Sequence, residues 1–309
     1  MDAGVFRRGG ILPEPERRSH SRKRKRERSR EASGGGASEI KSIKPGFTWT
    51  PREATTGSHG LHVAADKPIA KLSSEDTDLD GRVLYLSEHS DKSHVELPPS
   101  VQFNILPPPD KKAREVLSVA GAAGAGKSYI CRSYAAAYHK LFPKRPVYVI
   151  SALDEDTTLD KLKFLKRIKV DTLVSDPFPN PTEAFQESLC IFDDIEALVG
   201  AERKAVNELL DALLTLGRHT CVSVIVASHL PARGRETRLL NSEAHRFILF
   251  PTALGAATLK YMLGTHVGMT PKQILAVKTL PSRWILVAKG FPSYVMTSSE
   301  VKLLNDIAQ

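Results

Sequence analysis

The sequence predicts an α/β fold in which helices cover both faces of a mostly parallel sheet. Three observations lead to this prediction. From residue 111 onward, short apolar runs typical of buried strands alternate with runs of helical periodicity. One of these strands leads directly into a glycine-rich loop and a helix, and another ends in two aspartates. Both features are typical of the sheet edge where the carboxyl ends of parallel strands meet.

The glycine-rich loop matches the pattern G-x-x-x-x-G-K-[ST], a phosphate-binding loop. Its residues are Gly121, Ala122, Ala123, Gly124, Ala125, Gly126, Lys127 and Ser128. Small residues let several backbone N–H groups surround a polyphosphate. We expect Lys127 to reach the β and γ phosphates of ATP, and the Ser128 hydroxyl to bind Mg²⁺ at the start of the following helix.

The remaining elements are predicted in chain order around this loop. Five strands are expected at residues 115–119, 146–150, 188–192, 221–227 and 245–250, with helices at 130–141, 160–168 and 202–216. Two helical stretches follow, the second with Thr270 as its N-cap and Pro271 at its first position. A hairpin formed by residues 284–288 and 294–296 completes the predicted ATPase domain, residues 111–309.

Residues 1–44 are predicted to be a disordered basic tail, because they carry almost no large apolar side chains. The run Arg-Lys-Arg-Lys-Arg at positions 22–26 fits a nuclear-localisation signal, a DNA-neutralising arm or a solubilising tail. Residues 45–110 are weakly patterned, with short strands near 82–86 and 101–106. We expect them to lie against the core without forming a domain of their own.

The net charge of +9 is unevenly distributed along the 309 residues. Residues 1–44 hold 13 Lys/Arg against 6 Asp/Glu, and residues 111–309 hold 26 against 19. A basic body as well as a basic tail favours a polyanionic partner, such as the backbone of double-stranded DNA. The alternative is an ordinary solvated surface.

A soluble, intracellular protein is expected from the remaining composition. Arg7 and Arg8 interrupt any signal-peptide core, and no apolar run approaches the length of a membrane span. The three cysteines, Cys131, Cys190 and Cys221, lack metal-ligand spacing and fall in predicted core elements. They fit small buried apolar residues in a reducing compartment.

The second half of a nucleotide-hydrolysing site is predicted after the strand at 188–192, where Asp193 and Asp194 follow. An NTPase needs a carboxylate there to hold Mg²⁺, a role we assign to Asp193. Asp194 is the candidate for orienting and deprotonating the attacking water, and Glu196 is the alternative base.

Two further candidates flank the strand at 221–227. Ser228 and His229 end it at the same sheet edge as the loop, and one of them could sense the state of the nucleotide. Arg218 precedes the strand at the opposite edge, from which it could reach a neighbouring subunit's nucleotide as an arginine finger. The alternative for Arg218 is a side chain that satisfies the carbonyls at the end of the preceding helix.

These motifs resemble those of the genome-packaging ATPases of large eukaryotic DNA viruses, the poxvirus-like branch of the FtsK/HerA superfamily. The resemblance covers about residues 111–290, and Arg218-His219 before the strand is its more discriminating part. It implies a RecA/FtsK-like fold and a homo-oligomeric ring that pumps double-stranded DNA into a capsid, with capsid or portal proteins as partners. It also implies a location in the host nucleus or at the viral assembly site, or with the virion. The family usually ends the sensing strand in glutamine, where this chain has His229.

Two other function classes fit the same loop. A nucleoside or polynucleotide kinase would use the arginine-rich segment 231–238 as a mobile lid. An AAA-type remodelling ATPase would act on protein, although no clear helical lid follows residue 251.

Overall fold

The computed structural model describes residues 44–51, 65–75 and 78–307. These residues belong to one compact unit, Ile43–Gln309. The predicted basic tail lies outside the described residues, apart from Lys44. None of the helices within the described ranges combines the length and the apolar character that a membrane crossing requires.

The strands are short, and most of them overlap the predicted apolar runs. They are β1 (Gly46–Thr48), β2 (Lys67–Ser74), β3 (Val83–Ser87), β4 (His94–Glu96), β5 (Val101–Ile105), β6 (Val116–Ala120), β7 (Val147–Ser151), β8 (Leu165–Ile168), β9 (Leu189–Asp193), β10 (Ser223–Ser228), β11 (Arg246–Leu249), β12 (Ile285–Ala288), β13 (Tyr294–Met296) and β14 (Glu300–Leu303).

The longest helices, α1 and α4, follow the phosphate loop and the acidic strand. The α-helices are α1 (Lys127–Leu141), α2 (Val170–Ser175), α3 (Pro181–Ala184), α4 (Gly200–Leu216), α5 (Arg235–Glu243), α6 (Ala256–Tyr261) and α7 (Pro271–Lys278). A π-helical segment, Met262–Val267, continues α6. The predicted start of α7 is confirmed, because the Thr270 side chain accepts a hydrogen bond from the Gln273 N–H in a capping box.

Among the described residues, the main sheet has ten strands in the order β4-β14-β13-β12-β11-β6-β10-β9-β7-β8. From β11 to β8 all neighbours are parallel, whereas β12, β13, β14 and β4 extend the sheet by antiparallel pairing. The mostly parallel sheet is thus confirmed. Its parallel part contains the phosphate-loop strand β6 with β10 between it and the acidic strand β9.

Helices cover both faces of this sheet, as predicted. On one face Leu117 and Val119 of β6 share a hydrophobic core with Tyr134 of α1. On the other face Val116 and Ala120 share a core with Leu213 of α4. Alternate residues of a strand point to opposite faces, so each face has its own core.

A second, four-stranded antiparallel sheet has the order β1-β3-β2-β5. Its buried side chains, among them Phe47, Leu84 and Phe103, belong to the same core as those of α1. The segments near residues 82–86 and 101–106 that were predicted as strands are β3 and β5 of this sheet.

Two details of the sequence prediction were wrong. The expected helix at 160–168 is a single 3₁₀ turn, Leu159–Lys161, followed by β8, which pairs in parallel with β7. Pairing with an available sheet edge overrides the local helical pattern there. The five strands expected around the loop are present as β6, β7, β9, β10 and β11, and the sheet also contains β4, β8 and β14, which were not predicted. Cys221 lies outside the strand at a positive φ of 56° and is partly exposed, unlike the buried Cys131 and Cys190.

Candidate nucleotide site

The phosphate loop connects β6 to α1, and its glycines are required by its geometry. Gly124 and Gly126 have φ values of 72° and 115°, in the left-handed region that side chains disfavour. A Cβ at Gly121 would lie 2.9 Å from a ring carbon of Phe250 and 3.0 Å from the Cβ of Ala125. The loop therefore lies directly on the buried ring of Phe250, which follows β11.

Lys127 is 6% exposed and folds back over its own loop. Its Nζ donates a hydrogen bond to the Gly121 carbonyl at 3.1 Å and lies 3.5 Å from the Ala122 carbonyl. The same Nζ lies 3.3 Å from Nδ1 and 3.2 Å from Nε2 of His229. The ammonium group thus stands at the mouth of the loop, between the loop and the end of β10.

Asp193 is the last residue of β9 and is almost completely buried, with 2% exposed. It is paired in register with Ala227 of β10 and Ser151 of β7. Its Oδ1 finds no hydrogen-bond partner among the described residues. Burial raises the pKa of Asp193 to about 7, and repulsion by Asp194 adds to this while Lys127 opposes it.

Asp194 adopts a left-handed backbone conformation, with a φ of 52°. Such a conformation in a residue other than glycine is strained and is often found at functional sites. Its Oδ1 lies 2.7 Å from Nε2 of His229. His229 therefore lies between Lys127 and Asp194, and the three side chains form one continuous polar chain.

Glu196 links the ends of β9 and β10. Its Oε1 accepts hydrogen bonds from the Ser228 hydroxyl and from the backbone N–H groups of His229, at 2.9 Å, and Leu230, at 3.4 Å. These contacts fix the chain direction at the end of β10 and thereby the position of the His229 ring. Because its Oε1 accepts from three donors, Glu196 holds this turn in position.

The other predicted site residues fall into two groups. Ser128 lies in the first turn of α1 and is partly exposed, and Ala122 and Ala123 are exposed at the tip of the loop. Arg218 lies at the opposite edge of the sheet, exposed on the turn between α4 and β10. The structure thus brings the loop, Asp193, Asp194, Glu196 and His229 together and leaves Arg218 apart.

Arg114 takes the role that was considered as an alternative for Arg218. Its Nη1 and Nη2 donate hydrogen bonds to the carbonyls of Leu213 and Leu214, at 2.8 and 2.7 Å, in the last turn of α4. Burial lowers the pKa of Arg114, the carboxylate of Glu243 opposes this shift, and the positive charge of Arg218 adds to it. The end of α4 is therefore satisfied by Arg114.

Arg283 is a neighbour of the loop that the sequence interpretation did not single out. Its Nη2 donates a hydrogen bond to the Gly124 carbonyl at 2.8 Å. The two residues are 159 positions apart, so no local motif connects them. The sequence indicates the position of Arg283 near the loop only indirectly. Arg283 precedes β12, and an antiparallel strand beside β11 must start at the edge of the sheet that holds the loop.

Metal binding at this site requires more than the protein side chains. Within the described ranges, no cluster of three or more His, Cys, Asp or Glu side chains could hold a metal ion by itself. Mg²⁺ often takes only one or two protein ligands and completes its shell with phosphate oxygens and water. The buried Oδ1 of Asp193, which lacks a hydrogen-bond partner within the described ranges, and the Ser128 hydroxyl fit such a shared site.

Comparison with known proteins identifies a clear relative. The chain is 34% identical over 242 residues to the uncharacterized protein V3 of Sputnik virophage, and the match spans 77% of this chain and 96% of V3. This chain belongs to the family of V3. No family model matches it.

Solved structures similar to this V3-family protein share little sequence with it. The genome packaging NTPase B204 of Sulfolobus turreted icosahedral virus 2, in complex with ATP-γ-S, is 15% identical, with a TM-score of 0.40, over 62% of this chain and 98% of B204. The pCW3 conjugation coupling protein TcpA is 11% identical, with a TM-score of 0.42, over 75% of this chain and 77% of TcpA. Structural similarity at this level does not identify the reaction, so the reaction has to be argued from the residues of the site.

Burial of Asp193 predicts a pH-dependent stability in the absence of metal. Its pKa is about 7 in the folded protein, against an ordinary value of 3.8 for an exposed aspartate, so the folded protein binds the proton more tightly. Stability should fall as the pH rises between these values. In the presence of a metal chelator, Asp193→Asn should be more stable than the wild type by about 4 kcal/mol at about pH 8, and nearly equal to it near pH 4.

Urea unfolding at several pH values measures this difference. Asp176→Asn is the matched control, because Asp176 is exposed, and it should show no such gain. A difference between Asp193→Asn and the wild type that stays constant from about pH 4 to about pH 8 would contradict a neutral, buried Asp193.

Proposed function

We propose that this protein hydrolyses ATP and uses the energy to move double-stranded DNA into a viral capsid. The observation that carries the proposal is the polar chain Lys127–His229–Asp194 at the mouth of the phosphate loop, beside the buried Asp193. It joins a phosphate-binding cation to a carboxylate suited to activate water. A site that only binds ATP would need the cation but not the carboxylate.

Each residue has a distinct role in the proposed hydrolysis. The backbone N–H groups of Gly121–Ser128 surround the phosphates, and Lys127 neutralises charge on the β and γ phosphates. Ser128 and Asp193 would hold Mg²⁺, which, when bound, neutralises charge that develops on the phosphates in the transition state. The proton on Asp193 has to leave before the carboxylate can act as a ligand.

Asp194 is the better candidate for the base that orients and deprotonates the attacking water. It is partly exposed at the crevice, whereas Oε1 of Glu196 already accepts hydrogen bonds from three donors. His229 is the proposed sensor. A triphosphate in the loop would attract Lys127 away from the His229 ring, which would leave His229 with Asp194 as its charged neighbour.

The turn that carries this sensor leads into α5, a helix with two exposed arginines. Arg235 and Arg238 are exposed on α5, which begins seven positions after the end of β10. Arg233 is anchored by Glu236, which also pairs with Arg203 of α4. A shift at His229 could therefore be transmitted to cations able to contact a DNA backbone. The basic balance of residues 111–309 and the packaging-ATPase resemblance of the motifs support DNA as the substrate.

We further propose that the protein acts as a ring in which Arg218 completes a neighbouring subunit's site. Arg218 is exposed, and Arg114 already satisfies the helix end beside it. It also lies at the sheet edge opposite its own loop, so it cannot serve its own nucleotide. A guanidinium supplied from a neighbour would stabilise the transition-state charge.

The hydrolysis proposal predicts ATP turnover that double-stranded DNA stimulates. Lys127→Ala should reduce both basal and stimulated turnover by on the order of 10²–10³-fold, because the main charge partner of the phosphates is lost. Phosphate release with and without DNA measures this. Lys140→Ala, an exposed lysine in the last turn of the same helix, is the control and should retain full activity.

An ATP turnover rate that does not change when double-stranded DNA is added would contradict the proposed motor function. If the chain instead transfers phosphate to a nucleoside or to a DNA end, a kinase would be the better description.

Shared sites in a ring predict complementation between inactive variants. Arg218→Ala and Lys127→Ala subunits should each be inactive alone and should regain part of the turnover when mixed, because some interfaces then pair an intact loop with an intact finger. Mixing Lys127→Ala with Asp194→Ala is the matched control, since both losses affect the same half of the site. Absence of any recovery in the first mixture, at all ratios, would count against Arg218 as a finger.

A further inference from the structure

Arg283 places a second cation on the phosphate loop, on the flank away from the acidic pair. The parallel order β11-β6-β10-β9 sets Asp193, Asp194 and His229 on one side of the loop. Phe250 and Arg283 come from the segments next to β11 and β12 and lie on the other side. The loop is therefore bracketed by the acidic pair and His229 on one flank and by an arginine on the other.

The contact of Arg283 with the loop is close and specific. Its Nη2 donates to the Gly124 carbonyl at 2.8 Å, and its Cζ lies 3.9 Å from where a Cβ at Gly126 would be. The guanidinium thus reaches two of the loop's glycines. A guanidinium carries five N–H donors, and this hydrogen bond uses one of them.

A purely structural role accounts poorly for a charged group in this place. Arg283 is exposed, so ordering its side chain on one neutral carbonyl loses rotamer freedom for a single hydrogen bond. It also brings a positive charge to a loop that already holds the nearly buried Lys127. Two like charges on one loop repel each other until an anion lies between them.

We propose that Arg283 binds the α-phosphate end of the nucleotide in its own subunit. The inference rests on the proposed ATPase function, in which Lys127, Asp193 and Asp194 mark the position of the γ-phosphate. A phosphate chain whose terminal group faces β9 and β10 has its nucleoside end towards β11 and β12, where Arg283 lies. Arg283 is thus a nucleotide-binding residue that ATP and ADP contact equally.

This role differs from that of an arginine finger, which contacts the γ-phosphate. A group that contacts only the γ-phosphate loses its partner when the bond to that phosphate breaks. Arg283 would keep its contact with ADP after hydrolysis, so it would govern how tightly the product is held. Its loss should raise the KM for ATP without lowering kcat, since it removes binding that the substrate and the transition state share.

Calorimetric titration of the full chain with ADP and with a non-hydrolysable ATP analogue tests this proposal. Arg283→Gln keeps an N–H donor for the Gly124 carbonyl but removes the charge. It should weaken the binding of both nucleotides by a similar factor, about tenfold, as expected for a hydrogen bond to a charged group. Arg283→Lys keeps the charge and should recover most of the affinity. Lys278→Gln removes an exposed charge in the last turn of α7 and should change neither affinity.

Two results would overturn the proposal while the ATPase function stands. Unchanged affinities in Arg283→Gln would make the contact structural only, and a loss confined to the ATP analogue would place Arg283 at the γ-phosphate. If the wild type binds neither nucleotide, and Lys127→Ala behaves like it, the proposed function fails together with this inference.

Discussion

The parallel pairing of β6, β10 and β9 is the constraint on which the site depends. In this register Ala120 lies beside Ser228, and Ala227 lies beside Asp193, so the three strands end at one level. A slip of one residue would exchange the two faces of a strand whose residues are all buried, which makes the register strongly specified. The packing of two cores therefore fixes the positions of Lys127, His229 and Asp194.

The same burial creates the chemical properties of the site. Asp193 is enclosed by apolar strands, and its pKa is raised because water cannot reach it. Lys127 is nearly buried too, and its ammonium group contacts its own loop and the His229 ring. A buried carboxylate oxygen without a hydrogen-bond partner in the described part of the chain and a folded-back ammonium group are both suited to a ligand that brings charge of its own. Mg²⁺ with a triphosphate has the required charges.

Much of this arrangement could be predicted from the sequence because it depends on local patterns. The loop, the acidic strand end and the capped start of α7 each lie within a few residues, and each has a motif with a physical reason. The parallel sheet followed from the alternation of strands and helices. The prediction failed where a partner distant in sequence decides the structure. Within the segment predicted as a helix, residues 165–168 form β8 because β7 offered an edge, and Cys221 was left outside β10. The contacts of Glu196, Arg114 and Arg283 also join residues that no local motif connects.

Nucleotide binding should draw Lys127 away from His229 and place Mg²⁺ between the loop and Asp193. A crystal structure with Mg²⁺ and a non-hydrolysable ATP analogue tests this most directly. We expect Nζ of Lys127 to contact the β and γ phosphates, and Ser128 and Asp193 to ligate the metal. A nucleotide bound elsewhere, or a bound triphosphate with Lys127 still against His229 and no metal at Asp193, would contradict this mechanism.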